Sequence, residues 1–139
     1  MSKVFSETIP VESKSAFDVV DVTEAIRQIV ERSEIQDGIL NVFCIHTSCV
    51  VSAFDDEKGI MEDLEDALEI LVPKDRSYKH KSYRRNAYTH VRALIAGQMN
   101  VTVPIIDGKL KLGRYQKILF IELDGPRKRR KLVTQIIGD

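Results

Sequence analysis

Eight short β-favouring runs, set among helical segments that do not alternate with them one for one, constrain this chain most. The runs cover residues 3–10, 16–22, 38–45, 49–54, 100–106, 109–112, 116–123 and 131–137. A parallel sheet needs a crossover segment between successive strands. Here the last four runs follow one another with only short links. Between two of them stands Asp107-Gly108, a dipeptide that tolerates the positive φ at both central positions of a type I′ hairpin turn. These four runs therefore read as an antiparallel meander. The expected class is α+β, a mainly antiparallel β-sandwich or barrel of about eight strands with about three helices.

The helices are expected over residues 23–34, 58–71 and 86–97. In the first, Ile26, Ile29 and Val30 share one face, with Asp21 or Thr23 as the N-cap. The second carries an apolar stripe of Ile60, Met61, Leu64, Ala67, Leu68 and Leu71 and is ended by Pro73. The third opens at Asn86 and sets His90 on the face shared by Ala93, Leu94 and Gly97, so its imidazole is expected to look inward.

A length of 139 residues suits one domain, 1–139, with a core of useful size. Charged residues make up 30% of the chain and balance to zero, so the bulk potential does not recruit nucleic acid, which is not an expected partner. No apolar stretch approaches the roughly 20 residues a spanning helix needs, and the start lacks a secretory h-region. A soluble, cytoplasmic protein is expected. Cys44 and Cys49, placed on one extended segment, would point to opposite faces and stay reduced; a turn between them would be needed for pairing.

His46, His80 and His90 each fall where a regular element begins, ends or turns, the places from which a fold aims side chains into a shared cleft. His46 closes an apolar run and is followed by Thr47 and Ser48, small hydroxyl residues suited to a polar pocket. None of the three shows the His-x-x-x-His ladder of a helical metal site. Residues 74–85 carry six cations, Lys74, Arg76, Lys79, Lys81, Arg84 and Arg85, against Asp75, with Tyr78 and Tyr83 interleaved. A second basic run, Arg127-Lys128-Arg129-Arg130-Lys131, enters the final strand, where alternation sends its charges to both faces. The acidic residues around the second helix are mostly its wet face, with Asp63 at the edge of the stripe.

In order and spacing, His46-Thr47-Ser48, Gly59-Ile60-Met61-Glu62-Asp63-Leu64, Tyr78 with His80, Asn86 with His90, Gly97, Gly108-Lys109-Leu110, Leu112-Gly113, Gln116 and Asp124-Gly125-Pro126-Arg127 resemble the YjbQ-like family, whose members are also named secondary thiamine-phosphate synthases. All three histidines fall on histidine positions of that pattern. Two phrases depart from it: Phe54-Asp55-Asp56-Glu57 stands where relatives read Asn-Glu-Asn-Glu, and Gly113-Arg114-Tyr115-Gln116 where they read Gly-Thr-Trp-Gln.

The resemblance implies a homotrimeric antiparallel sandwich with a site near each subunit interface. It also implies the coupling of an aminopyrimidine methyl diphosphate to a thiazole phosphate. Converging His46, His80 and His90 would hold a divalent metal, Zn or Mg, with a fourth position open. Arg127, with Arg129, would take phosphate; Ser48, Asn86 and Gln116 would orient the substrate; Asp55 or Asp63 would hold a metal water or a ligand's second ring nitrogen. Two alternatives stand beside this: a metal-dependent hydrolase of a phosphorylated small molecule, and a non-catalytic module binding a phosphorylated metabolite or RNA.

Overall fold

The computed structural model describes residues 1–139. Its elements in chain order are β1 (Lys3–Ser13), β2 (Asp18–Asp21), α1 (Thr23–Ser33), β3 (Gly38–Cys44), β4 (Cys49–Phe54), α2 (Lys58–Leu71), α3 (Ala87–Ala96), β5 (Asn100–Ile106), β6 (Lys109–Leu110), β7 (Lys117–Glu122) and β8 (Arg127–Gly138). Every strand pairing is antiparallel. A five-stranded sheet runs β1-β8-β3-β5-β6 and a three-stranded sheet runs β2-β7-β4, which is the expected α+β class.

The meander does not form. β5 and β6 make the hairpin, with Asp107 at φ 51° and Gly108 at φ 72°, but β7 crosses to the centre of the other sheet and β8 returns between β1 and β3. The cause is the burial each strand demands. From Ile118 to Glu122 every residue of β7 is buried, so the strand needs cover on both faces. In β8, by contrast, Arg130, Leu132, Thr134 and Ile136 alternate inward, as suits a sheet with one covered face.

Side chains of β4 and β7 sort by parity into two cores. Cys49, Val51, Ile118 and Phe120 join the five-stranded sheet and the Ile26, Ile29 and Val30 face of α1 in one cluster. Val50, Leu119 and Ile121 pack on the opposite side against Met61 and Leu68 of α2 and Ala93 of α3. The result is three layers: five strands, three strands, then α2 and α3.

Local details depart from expectation. The N-cap of α1 is Val22, while Asp21 Oδ1 accepts from Thr23 N at 2.9 Å and from its hydroxyl at 2.6 Å. In α2 only Met61 and Leu68 are buried; Ile60 and Leu71 are exposed because the helix meets the sheet along a narrow line. Glu57 caps α2 by accepting from Gly59 N and Ile60 N. β3 and β8 close on each other at Gly38 opposite Gly138, where a Cβ on Gly38 would stand 2.3 Å from the Ile137 carbonyl oxygen.

Candidate functional site

The β3–β4 turn holds the site together from its centre. His90, in the first turns of α3, donates from Nδ1 to the Thr47 carbonyl at 2.8 Å. A carbonyl can only accept, so this bond places a proton on Nδ1 and, in the neutral ring, leaves the lone pair on Nε2. His80, from the link between α2 and α3, stands edge-on to it, with ring centroids 5.5 Å apart and planes at 83°. Both line a cleft of about 530 Å³ whose other walls are Thr47, Ala87, Val91, Ala93, Leu94 and Met99.

His46 does not line that cleft. Its Nε2 accepts the backbone N–H of Lys131 at 3.0 Å, tying the turn to β8. Burial, then the Arg130 charge, pushes its pKa below the ordinary histidine value and keeps the ring neutral. With Nε2 occupied, the neutral ring carries its proton on Nδ1 and offers no free lone pair to a metal. No group of three His, Cys, Asp or Glu side chains within the chain is placed to hold a metal ion. A three-imidazole tripod therefore does not fit the residues of a single chain in this arrangement, and His80 and His90 are the two histidines brought together.

Three of the expected substrate-binding residues, Ser48 and Asn86 for orientation and Arg127 for phosphate, meet in one polar network on the other side of the turn. Ser48 Oγ accepts from Arg130 Nη2 at 2.8 Å. Arg130 grips Glu122 from Nε and Nη2 at 2.9 and 2.5 Å, and Ser13 Oγ donates to the same carboxylate at 2.7 Å. Asp124 is the next node: its Oδ2 accepts from Arg127 Nη2 and from Asn86 Nδ2, both at 2.8 Å, and Ser82 Oγ donates to Asn86 Oδ1 at 2.9 Å. Asn86 thus precedes α3 without capping it by side chain, because its amide is spent on the network. Arg127 is held by Asp124 rather than free for phosphate, and Arg129 is exposed.

Glu122 is fully buried and Arg130 is 6% exposed. Burial alone would push the carboxyl up, but the hydrogen bonds and charge of Arg130, with the Ser13 hydroxyl, hold Glu122 below the usual carboxylate range. The same partner outweighs the burial of Arg130 and raises its pKa, so the pair stays ionised. Alternation along the 127–131 run predicts inward charges, but the sequence singled out neither Arg130 as the one that is buried nor Glu122 as its partner. The available signal was a single carboxylate in the apolar phrase Ile118-Leu119-Phe120-Ile121-Glu122-Leu123.

Gln116 lies elsewhere. Its Oε1 accepts from Gly113 N at 2.8 Å and its amide donates to the Ala53 carbonyl at 3.3 Å, beside a separate polar hollow of about 700 Å³ that also includes Ser52, Gln98 and Thr102. Phe54 lines that hollow too. Asp55 is half-buried between β4 and α2 and Asp63 is exposed on α2; neither lines the His80–His90 cleft. Cys44 and Cys49, at the two ends of the turn, are free thiols with Sγ atoms 3.4 Å apart. They lie on two strands joined by the turn, so the expectation of opposite faces does not hold.

Residues 7–139 match the family described as UPF0047 protein YjbQ-like. The chain belongs to this family. A UPF0047 protein of Methanothermobacter thermautotrophicus is 38% identical over 132 residues, spanning 95% of this chain and 92% of the relative. Among solved structures, a protein of Sulfolobus solfataricus P2, described as of unknown function, is 35% identical and superposes with a TM-score of 0.93 over 100% of both chains. A YjbQ/UPF0047 family protein of Clostridium acetobutylicum is 30% identical, with a TM-score of 0.85 over 94% of this chain and 98% of that one. The YjbQ-like fold thus embraces both sheets and the helices. No helix is long and apolar enough to cross a membrane.

Proposed function

We propose that the cleft beside His80 and His90 takes a phosphorylated small molecule. The reaction proposed there is thiamine-phosphate synthesis, in which a thiazole phosphate nitrogen bonds to the methylene carbon of an aminopyrimidine methyl diphosphate as diphosphate leaves. One observation carries this reading: the Thr47 carbonyl fixes the His90 tautomer, leaving a lone pair on Nε2 in a cleft whose remaining walls are largely apolar. Such walls suit a flat heteroaromatic ring, and a fixed imidazole suits hydrogen bonding or proton transfer at its edge. Lys79 and Lys81, exposed on either side of His80 in the chain, supply positive charge for the leaving diphosphate.

Should a divalent ion take part, His80 and His90 are the donors in this chain, and the ion would bring positive charge to the diphosphate oxygens. A homotrimer is part of the same proposal. Three cross-strand rows on the outer face of the larger sheet support it: Val4, Ile137, Ile39 and Pro104; Ser6, Gln135, Asn41 and Thr102; Thr8, Val133, Phe43 and Asn100. None carries a charge, in a chain with 30% charged residues, and depletion of charge marks the centre of protein interfaces.

The test is diphosphate release after mixing the two substrates, with wild type beside His90→Ala. Release that requires the thiazole phosphate and falls about 10²-fold or more in the variant supports the synthase. Release without the thiazole partner would point to a hydrolase instead. Binding without any release would leave a binding module.

A further inference from the structure

We propose that Cys44 and Cys49 form an oxidisable thiol pair whose disulfide locks the β3–β4 turn, with hydrogen peroxide as the oxidant. This stands whether or not the cleft performs the chemistry proposed above. The two Sγ atoms are 3.4 Å apart, and Cys44 Sγ also lies 3.4 Å from the Cys49 carbonyl oxygen that accepts from it. A disulfide needs about 2.05 Å, so the sulfurs have to approach by little more than an ångström, a movement within reach of side-chain rotation. Both thiols are buried, at 1% and 0% exposure, with the turn residues between their strands. The oxidant must therefore be small.

The chemistry closes without another reagent. One sulfur attacks a peroxide oxygen, the O–O bond breaks, and the departing hydroxide takes a proton to become water, leaving a sulfenic acid. The second thiol sulfur displaces that hydroxyl as water and the S–S bond forms. Two thiols lose two electrons, the peroxide gains them, and two waters leave.

The position of the pair gives the bond a consequence. Between the cysteines, His46 accepts from the Lys131 backbone, Thr47 accepts from His90, and Ser48 accepts from Arg130 through Oγ and from Leu123 N through its carbonyl. Tightening the base of the turn is thereby carried to β8, α3 and the end of β7.

The experiment treats the full chain with hydrogen peroxide or glutathione disulfide, then measures peptide masses after denaturation and the imidazole C–H resonances before it. The expected result with peroxide is a 44–49 cross-link within one chain, lighter by two hydrogens, with shifts at His46 and His90. Cys44→Ser is expected to abolish both the cross-link and the shifts. Glutathione disulfide is expected to leave the chain without an adduct. Thiols that stay free in millimolar peroxide, links between chains, a glutathione adduct, or a cross-link that leaves both imidazoles unmoved would each overturn the proposal.

Discussion

His46 shows how one hydrogen bond decides what a histidine can do. Because burial lowers its pKa in the folded chain, the unfolded chain takes up a proton first as pH falls. Its contribution to stability is therefore complete above about pH 6.5 and is lost as pH drops through the lower folded value. The urea midpoint of wild type is expected to fall between about pH 7.5 and 5, and that of His46→Gln to fall less, since a glutamine can accept from Lys131 N without titrating. Equal falls would contradict this. Arg130→Met leaves Glu122 charged in a buried place, with an expected cost of about 3–5 kcal/mol in chemical denaturation. Ser48, Asn86 and Arg127 stood out in the sequence through the family pattern, as expected substrate contacts, whereas the structure engages them with one another's neighbours in an ion-pair network. Their actual partners, Glu122, Arg130 and Asp124, were not legible as such, because those bonds depend on where β7 and β8 end relative to the β3–β4 turn.

Elements with a local cause were read well, and those set by distant pairing were not. The β5–β6 hairpin follows from two residues of positive φ, and α2 spans residues 58–71 as its periodicity predicts. By contrast, β1 pairs β8 from Lys3 opposite Gly138 to Ser13 opposite Arg127, and nothing in either segment alone announces the other. That pairing is what turns the predicted meander into two sheets. Gly108→Ala is expected to destabilise by about 1–2 kcal/mol, the cost of placing a Cβ on left-handed backbone, where it would also meet Gln36 Oε1 at 3.1 Å. Leu68→Ala, emptying a side chain 2% exposed beneath α2, is expected to cost about 2–5 kcal/mol. Thermal or urea unfolding of both variants checks these values; a neutral Leu68→Ala would mean that α2 is only loosely attached to the sheet.

At the scale of the whole molecule, the three-stranded sheet is covered on both sides, while the five-stranded sheet presents three uncharged cross-strand rows on its outer face, beside a row that carries Lys131. Wild type is expected to sediment as a trimer and Ile39→Glu as a smaller species, because the substitution puts a charge among the apolar row of that face. A wild-type monomer would contradict the assembly. Cleft and assembly are separate claims, since the turn that orients His90 is completed within one chain. The cleft also competes with the hollow beside Gln116, the larger and more polar of the two. The most direct test of the central claim is therefore a chemical-shift titration of the full chain with the aminopyrimidine methyl diphosphate. The expected result is saturable shifts at His80, His90 and the methyl groups of Val91 and Leu94; shifts confined to Ser52, Gln98 and Gln116, or none at all, would contradict it.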